Sequence, residues 1–178
     1  MEHSLEVVEM KMEKNRDITE IRKHPTQCKW NVWIHPDPKD WTPSSYSNIG
    51  SISTIENGVS IMHLLPDALI ENCMLFVMKD GVLPLWEDPC NKNGGAFSYK
   101  VPNKIVQQVW RNLSYVLIGG TISSNETFTS QITGISISPK KKFCVIKIWL
   151  ETRQFQNPKL VTNEVIGLSP NGCLFKQH

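Results

Sequence analysis

The sequence has no excess of charge of either sign. Nineteen Lys and Arg against seventeen Asp and Glu leave a net +2, so the broad positive field of a duplex-DNA binder is absent and any basic site must be local. Paired-cysteine motifs are missing as well. The five cysteines, at 28, 73, 90, 144 and 173, are odd in number and widely spaced with no CxxC; this points to reduced thiols in a cytoplasmic or nuclear setting. No histidine pairs with a cysteine at zinc-ligand spacing, so no structural metal is expected. Apolar runs of bilayer-crossing length are lacking, and the charged start is unlike a signal peptide, so no membrane partner is expected. There is no Walker loop, no metal-ligand cluster and no Ser/His/Asp or Cys/His arrangement. An enzyme acting on nucleotides is therefore the weakest reading, no cofactor is expected, and Cys90 beside the Glu87 region reads as a free loop cysteine.

What is present fits one domain, since 178 residues suffice for a proper core. Residues 1–23 are rich in Glu, Lys, Asn and Arg and read as a mobile tail; residues 24–178 form the domain. Strands are expected at Cys28–His35, Cys73–Met78, Val82–Trp86, Ala96–Val101, Gln131–Ser138, Phe143–Leu150 and Cys173–Lys176. Asp80-Gly81 predicts a hairpin between the second and third of these. Helices are expected over Ser51–Leu65, capped by Ser53 or Thr54, and over Asn103–Gly120, with a helix or turn in Gln154–Val165. The segment 35–48 reads as a loop from its three prolines. The sequons at Asn112 and Asn125 read as chance. The class is α+β: a curved antiparallel sheet with two or three helices on its convex face and a ligand pocket on its concave face.

Six tryptophans are many for such a domain. Trp110 lies on the apolar stripe of its helix and belongs to the core; Trp30 or Trp33 packs inside too, on opposite sheet faces. Trp41 stands in the proline-rich loop, where it is either an exposed binding aromatic or an anchor folded back on the sheet. Trp86 opens a polar loop, and Glu87 beside it makes full burial costly. Two tryptophan rings can sandwich a nucleobase, each stack worth about 1–3 kcal/mol, with about 0.5–2 kcal/mol more if the base is cationic. A carboxylate next to the sandwich accepts from two N–H donors on one edge. Guanine presents such an edge and adenine does not; its cationic form is 7-methylguanine. A lysine turn, Pro139-Lys140-Lys141-Lys142, precedes a strand on which Lys147 and Trp149 share one face. That pairing is odd for a core and natural for a groove that holds phosphates and a base.

Assembled, these residues resemble the eukaryotic translation initiation factor 4E family of mRNA cap-binding proteins. The resemblance is best in LFVMKDGVLPLWEDPCNKNGG (75–95). HPTQCKWNVWI (24–34), KDW (39–41), VWRNLSYVLIGG (109–120) and KIWLET (147–152) support it. It implies a cupped antiparallel sheet backed by helices, and a chain that binds the 7-methylguanosine cap in translation initiation. Trp41 and Trp86 would sandwich the base, Glu87 would accept its N1 and N2 hydrogens, the Trp86 backbone N–H would donate to O6, and Trp149 would pack near the methyl group. Lys140 and Lys142 fall near the family's phosphate-binding positions. A further family lysine falls on Val145, with Lys147 as its expected substitute. The resemblance also implies a helical face, here Ile55, Val59, Arg111 and Asn112, that grips scaffolds of the initiation factor 4G type. A central tryptophan of that face is replaced by Val59, and an apolar and an acidic position by Arg111 and Asn112. Losing an aromatic anchor weakens such an interface, so the expectation is weak binding of the usual scaffold and a substitute partner, or a protein that sequesters or selects capped mRNA without one. The family's C-terminal loop is expected to be missing or very short, since the chain stops at His178.

Overall fold

The computed structural model describes residues 23–37 and 39–178. The tail expected over 1–23 therefore lies, but for its last residue, outside the described residues. Seven strands form one sheet: β1 Pro25–His35, β2 Ser47–Thr54, β3 Met74–Lys79, β4 Gly95–Pro102, β5 Ile132–Pro139, β6 Phe143–Leu150 and β7 Leu174–Gln177. The order is β2-β1-β3-β5-β6-β4-β7 and every pairing is antiparallel. Helices α1 Ile55–Leu64 and α3 Val106–Ile118 exceed two turns; α2 Asp67–Asn72 and α4 Glu126–Ser130 are short. Among the described residues no helix is long and apolar enough to cross a membrane.

Period-two alternation divides the sheet into two faces. Trp30 and Val32 of β1, Leu75 and Val77 of β3, and Ile146 and Ile148 of β6 meet the α3 stripe of Val109, Trp110, Leu113 and Leu117 in the main core. The opposite face carries a smaller cluster of Tyr46, Phe76, Met78, Val82 and Trp149, with Trp33 packed against it. Trp30 and Trp33 thus serve opposite faces.

Two expectations need correction. Residues 51–54 are strand, not helix: β2 pairs with β1 from Thr54 back to Ser47, and only Ile52 of its eight residues is buried, so no apolar alternation announces it. The helix starts one residue after Thr54, whose side chain accepts from the Asn57 N–H at 3.2 Å. Gly58 sits in α1 because a Cβ there would come within 3.0 Å of Ile118 and Ile52. Second, Val82–Trp86 is no strand. The turn at Asp80-Gly81 forms, with Gly81 at φ +82 and Val82 N–H donating to the Lys79 carbonyl at 3.0 Å. Both edges of β3 are already taken by β1 and β5, so the chain after the turn has no edge to pair with and becomes a loop, 82–94. Over 154–165, where a helix or turn was expected, the structure has a short 3-10 turn, Pro158–Leu160. Sequence patterning also passed over α2 and α4; the Asn125 side chain caps α4 by accepting from the Phe128 N–H at 2.9 Å, a structural use for a residue read as a chance sequon.

Candidate functional site

The face away from the helices opens into a cavity of about 500 Å³. Loop 36–42 supplies Trp41, loop 82–94 supplies Trp86, β6 supplies Lys147 and Trp149, and the β5–β6 turn supplies Lys140; all five line this one cavity. Among the described residues no Asp or Glu lines it.

Trp41 is 54% exposed and Trp86 57%, whereas Trp149 is 5%. The two half-exposed rings therefore offer open π-faces, and the third forms part of the floor. Trp41 is exposed and anchored at once: its ring stacks on His35 at 4.9 Å and 28°, and His35 stacks in turn on Tyr46 at 4.4 Å and 29°. The His35 ring is locked by Nε2–H donating to the Asp40 carbonyl at 2.6 Å. Trp149 is fixed by Nε1–H donating to Ser136 Oγ at 2.8 Å and by its contacts with Phe76 and His178.

Loop 82–94 is held from inside. Asp88 and Asn91 are both buried. The Asp88 carboxylate accepts from the N–H groups of Leu83 and Cys90, each at 2.9 Å. The Asn91 amide donates to the Leu83 and Leu85 carbonyls at 3.1 and 2.8 Å. Burial, with the charges of Asp88 and Glu151 added, pushes the Cys90 thiol up, which disfavours the thiolate that a nucleophile needs.

Glu87 and Lys142 are exposed and do not line the cavity. Glu87 directly follows the cavity-lining Trp86, and after burial its charge is the second cause raising the pKa of Tyr46, another cavity-lining residue. Lys142 belongs to the same turn as Lys140. Val145 lines the cavity where a further lysine was looked for, and Lys147 lies two residues on along the same face. Sequence reasoning missed His35, Lys100, Lys176 and His178. His35 shares the Trp33 side of β1 by alternation, and Lys176 alternates with core-packed Phe175 on β7, so period-two reading of both strands carried the signal.

On the helical side, Val59 is exposed, and Ile55 and Asn112 are partly buried. Arg111 is not free for a partner. Its guanidinium donates to the Met62 carbonyl at 3.2 Å, the Leu65 carbonyl at 2.8 Å and Asp67 Oδ1 at 2.7 Å. It thereby satisfies carbonyls at the end of α1 and ties that end to α2. Arg111→Ala is expected to cost about 2 kcal/mol and to lower Tm by about 4–8 °C in a thermal melt, leaving ligand affinity unchanged; an unaltered Tm contradicts this tie.

The family model for eukaryotic initiation factor 4E matches residues 25–174. A eukaryotic translation initiation factor NCBP of Triticum aestivum is 28% identical over 142 residues, 76% of this chain and 59% of its own. The eukaryotic translation initiation factor 4E of Homo sapiens is 27% identical over 178 residues, 91% of this chain and 80% of its own. Coverage of the relatives is uneven, since the chain spans 59% of the Triticum factor and 64% of the Eremothecium gossypii factor 4E. A crystal structure of a schistosome eIF4E complexed with m7GpppG and 4E-BP matches at TM-score 0.67 and 28% identity over 75% of each chain. Ascaris suum eIF4E-3, solved with an m7G cap, shares the fold at TM-score 0.71 and 21% identity over 88% of this chain and 92% of that one. With the family match running from β1 to the first residue of β7, the chain belongs to the eukaryotic initiation factor 4E family.

Proposed function

We propose that this chain binds the 7-methylguanosine cap at the 5′ end of mRNA and acts in translation initiation, in the cytoplasm, as a binding protein and not an enzyme. The observation that carries the reading is the convergence of two half-exposed tryptophans, Trp41 and Trp86, on a cavity that also holds lysines and, among the described residues, no carboxylate. The open rings clamp the base, and its positive charge strengthens the stacking. Glu87 accepts the N1 and N2 hydrogens, while the Trp86 backbone N–H donates to O6. Trp149 packs near the methyl group. Lys140, Lys142 and Lys147 neutralise the phosphates as point charges.

A second reading concerns the partner. Commitment of Arg111 to the end of α1, with Val59 exposed on that helix, supports a substitute for the factor 4G type scaffold. It equally supports a protein that selects capped messages without one.

Tryptophan fluorescence titrated with 7-methyl-GTP and with GTP tests the ligand. Strong quenching is expected with the methylated nucleotide alone, and the ligand is expected to come back intact after long incubation. Comparable quenching by both nucleotides defeats the cationic-base argument.

A further inference from the structure

Part of the cavity's positive charge stands at the β7 edge of the sheet. Lysines 100, 140, 147 and 176 line it, and among the described residues none of them takes part in a salt bridge; Lys100 lies 4.2 Å over the Phe143 ring. The strand register shows how two of them converge. Ala96 of β4 pairs with Trp149 on one side and Lys176 on the other; Ser98 pairs with Lys147 on one side and Leu174 on the other. Cross-strand partners point to the same face, with Cβ atoms roughly 5 Å apart. Lys147 and Trp149 therefore wall one side of a trough, Leu174 and Lys176 wall the other, and the small residues Ala96 and Ser98 form its floor. Ser98 Oγ is buried there without a hydrogen-bond partner.

The groups around the trough leave Lys147 poorly compensated. Its ammonium sits 5.7 Å from the Trp149 ring centroid. Burial lowers its pKa first, with Lys176 and Lys140 adding repulsion. A cationic base beside Trp149 adds more repulsion still, so Lys147 must find an anion elsewhere in the bound state. The open trough toward Lys176 is where one fits, and the Ser98 hydroxyl can donate to it.

We propose that Lys176 of β7, with Lys147 and the Ser98 hydroxyl, forms a phosphate-holding cradle at the β4–β7 edge. The inference rests on the cap-binding reading for the identity of the ligand, but not for the cradle's charge. The phosphoryl oxyanion has two sources: the triphosphate bridge, or the first phosphodiester beyond it.

Lys176 is exposed, so Lys176→Ala and Lys176→Gln should fold normally. Calorimetric titration of wild type and both variants with 7-methylguanosine, 7-methyl-GTP and a capped oligonucleotide reads the cradle. Affinity for a phosphate-bearing ligand is expected to fall about tenfold, and that for the nucleoside to stay within about twofold. Loss with 7-methyl-GTP assigns the cradle to the bridge; loss with the oligonucleotide alone assigns it to the phosphodiester. Equal loss on nucleoside and nucleotide, or no loss on any ligand, overturns the proposal. Inorganic tripolyphosphate separates it from the cap reading. Should wild type bind GTP and 7-methyl-GTP alike, the cap reading falls, while weaker tripolyphosphate binding by Lys176→Ala still supports the cradle and unchanged binding refutes it.

Discussion

Trp41→Ala and Trp86→Ala are each expected to weaken 7-methyl-GTP binding by about 10- to 100-fold, and the double variant to bind too weakly to measure. Each deletion removes one stack, about 1–3 kcal/mol, together with part of a cation–π term of about 0.5–2 kcal/mol. The first ring removed also loosens the second contact, because a base held on one side is free to slide. Calorimetry is the proper readout, since deleting an indole alters the fluorescence signal itself. Thermal stability should barely change: more than half of each residue is exposed, and neither ring belongs to the buried clusters. Trp149→Ala behaves differently, because that ring is buried against Phe76 and donates to Ser136; it should lower Tm as well as affinity. Wild-type affinity in both single variants would remove the clamp from the account.

Some of this was legible in the chain, for physical reasons that can be named. α3 announces itself because Val109, Trp110, Leu113 and Leu117 form one stripe, and all four are buried. β6 is legible because its two faces differ in chemistry, with Ile146 and Ile148 toward the core and Lys147 and Trp149 toward the cavity. The tryptophans stood out by misfit, an aromatic in a proline-rich loop and another beside a carboxylate. β2 was illegible because an edge strand with one buried residue carries almost no hydrophobic signal. The 82–86 segment misled for the opposite reason: its local turn chemistry was sound, but topology had already filled both edges of β3. Arg111 looked like a surface change that alters a partner. Only the packing of α3 against the end of α1 reveals that its donors are spent inside the fold. The same holds for Lys176, whose relation to Lys147 exists only across β4.

Asn91→Ala should separate loop support from ligand contact. The side chain is fully buried, yet it lines no part of the cavity. Its amide closes two carbonyls of loop 82–94, those of Leu83 and Leu85, and its oxygen accepts from Thr133 Oγ1 at 2.8 Å. Thr133 is available for this because the β5–β6 register slips between Ile132 and Gly134, an irregularity that re-aims a side chain out of the ladder. The Asn91 backbone carbonyl accepts from His178 Nδ1–H at 2.9 Å, which joins the loop to β7 and to the ring packed on Trp149. Alanine leaves two carbonyls and a hydroxyl buried without partners. At about 1–3 kcal/mol for each unsatisfied group, partly relieved by entering water, the net cost is about 3 kcal/mol, or about 6–12 °C in Tm for a chain of this size. Affinity for 7-methyl-GTP should fall about tenfold, because the loop carrying Trp86 must then be ordered on binding. The pairing of effects is diagnostic: Trp86→Ala loses affinity at constant Tm, whereas Asn91→Ala loses both. If Asn91→Ala melts like wild type, the loop does not depend on this amide, and the placement of Trp86 must have another cause.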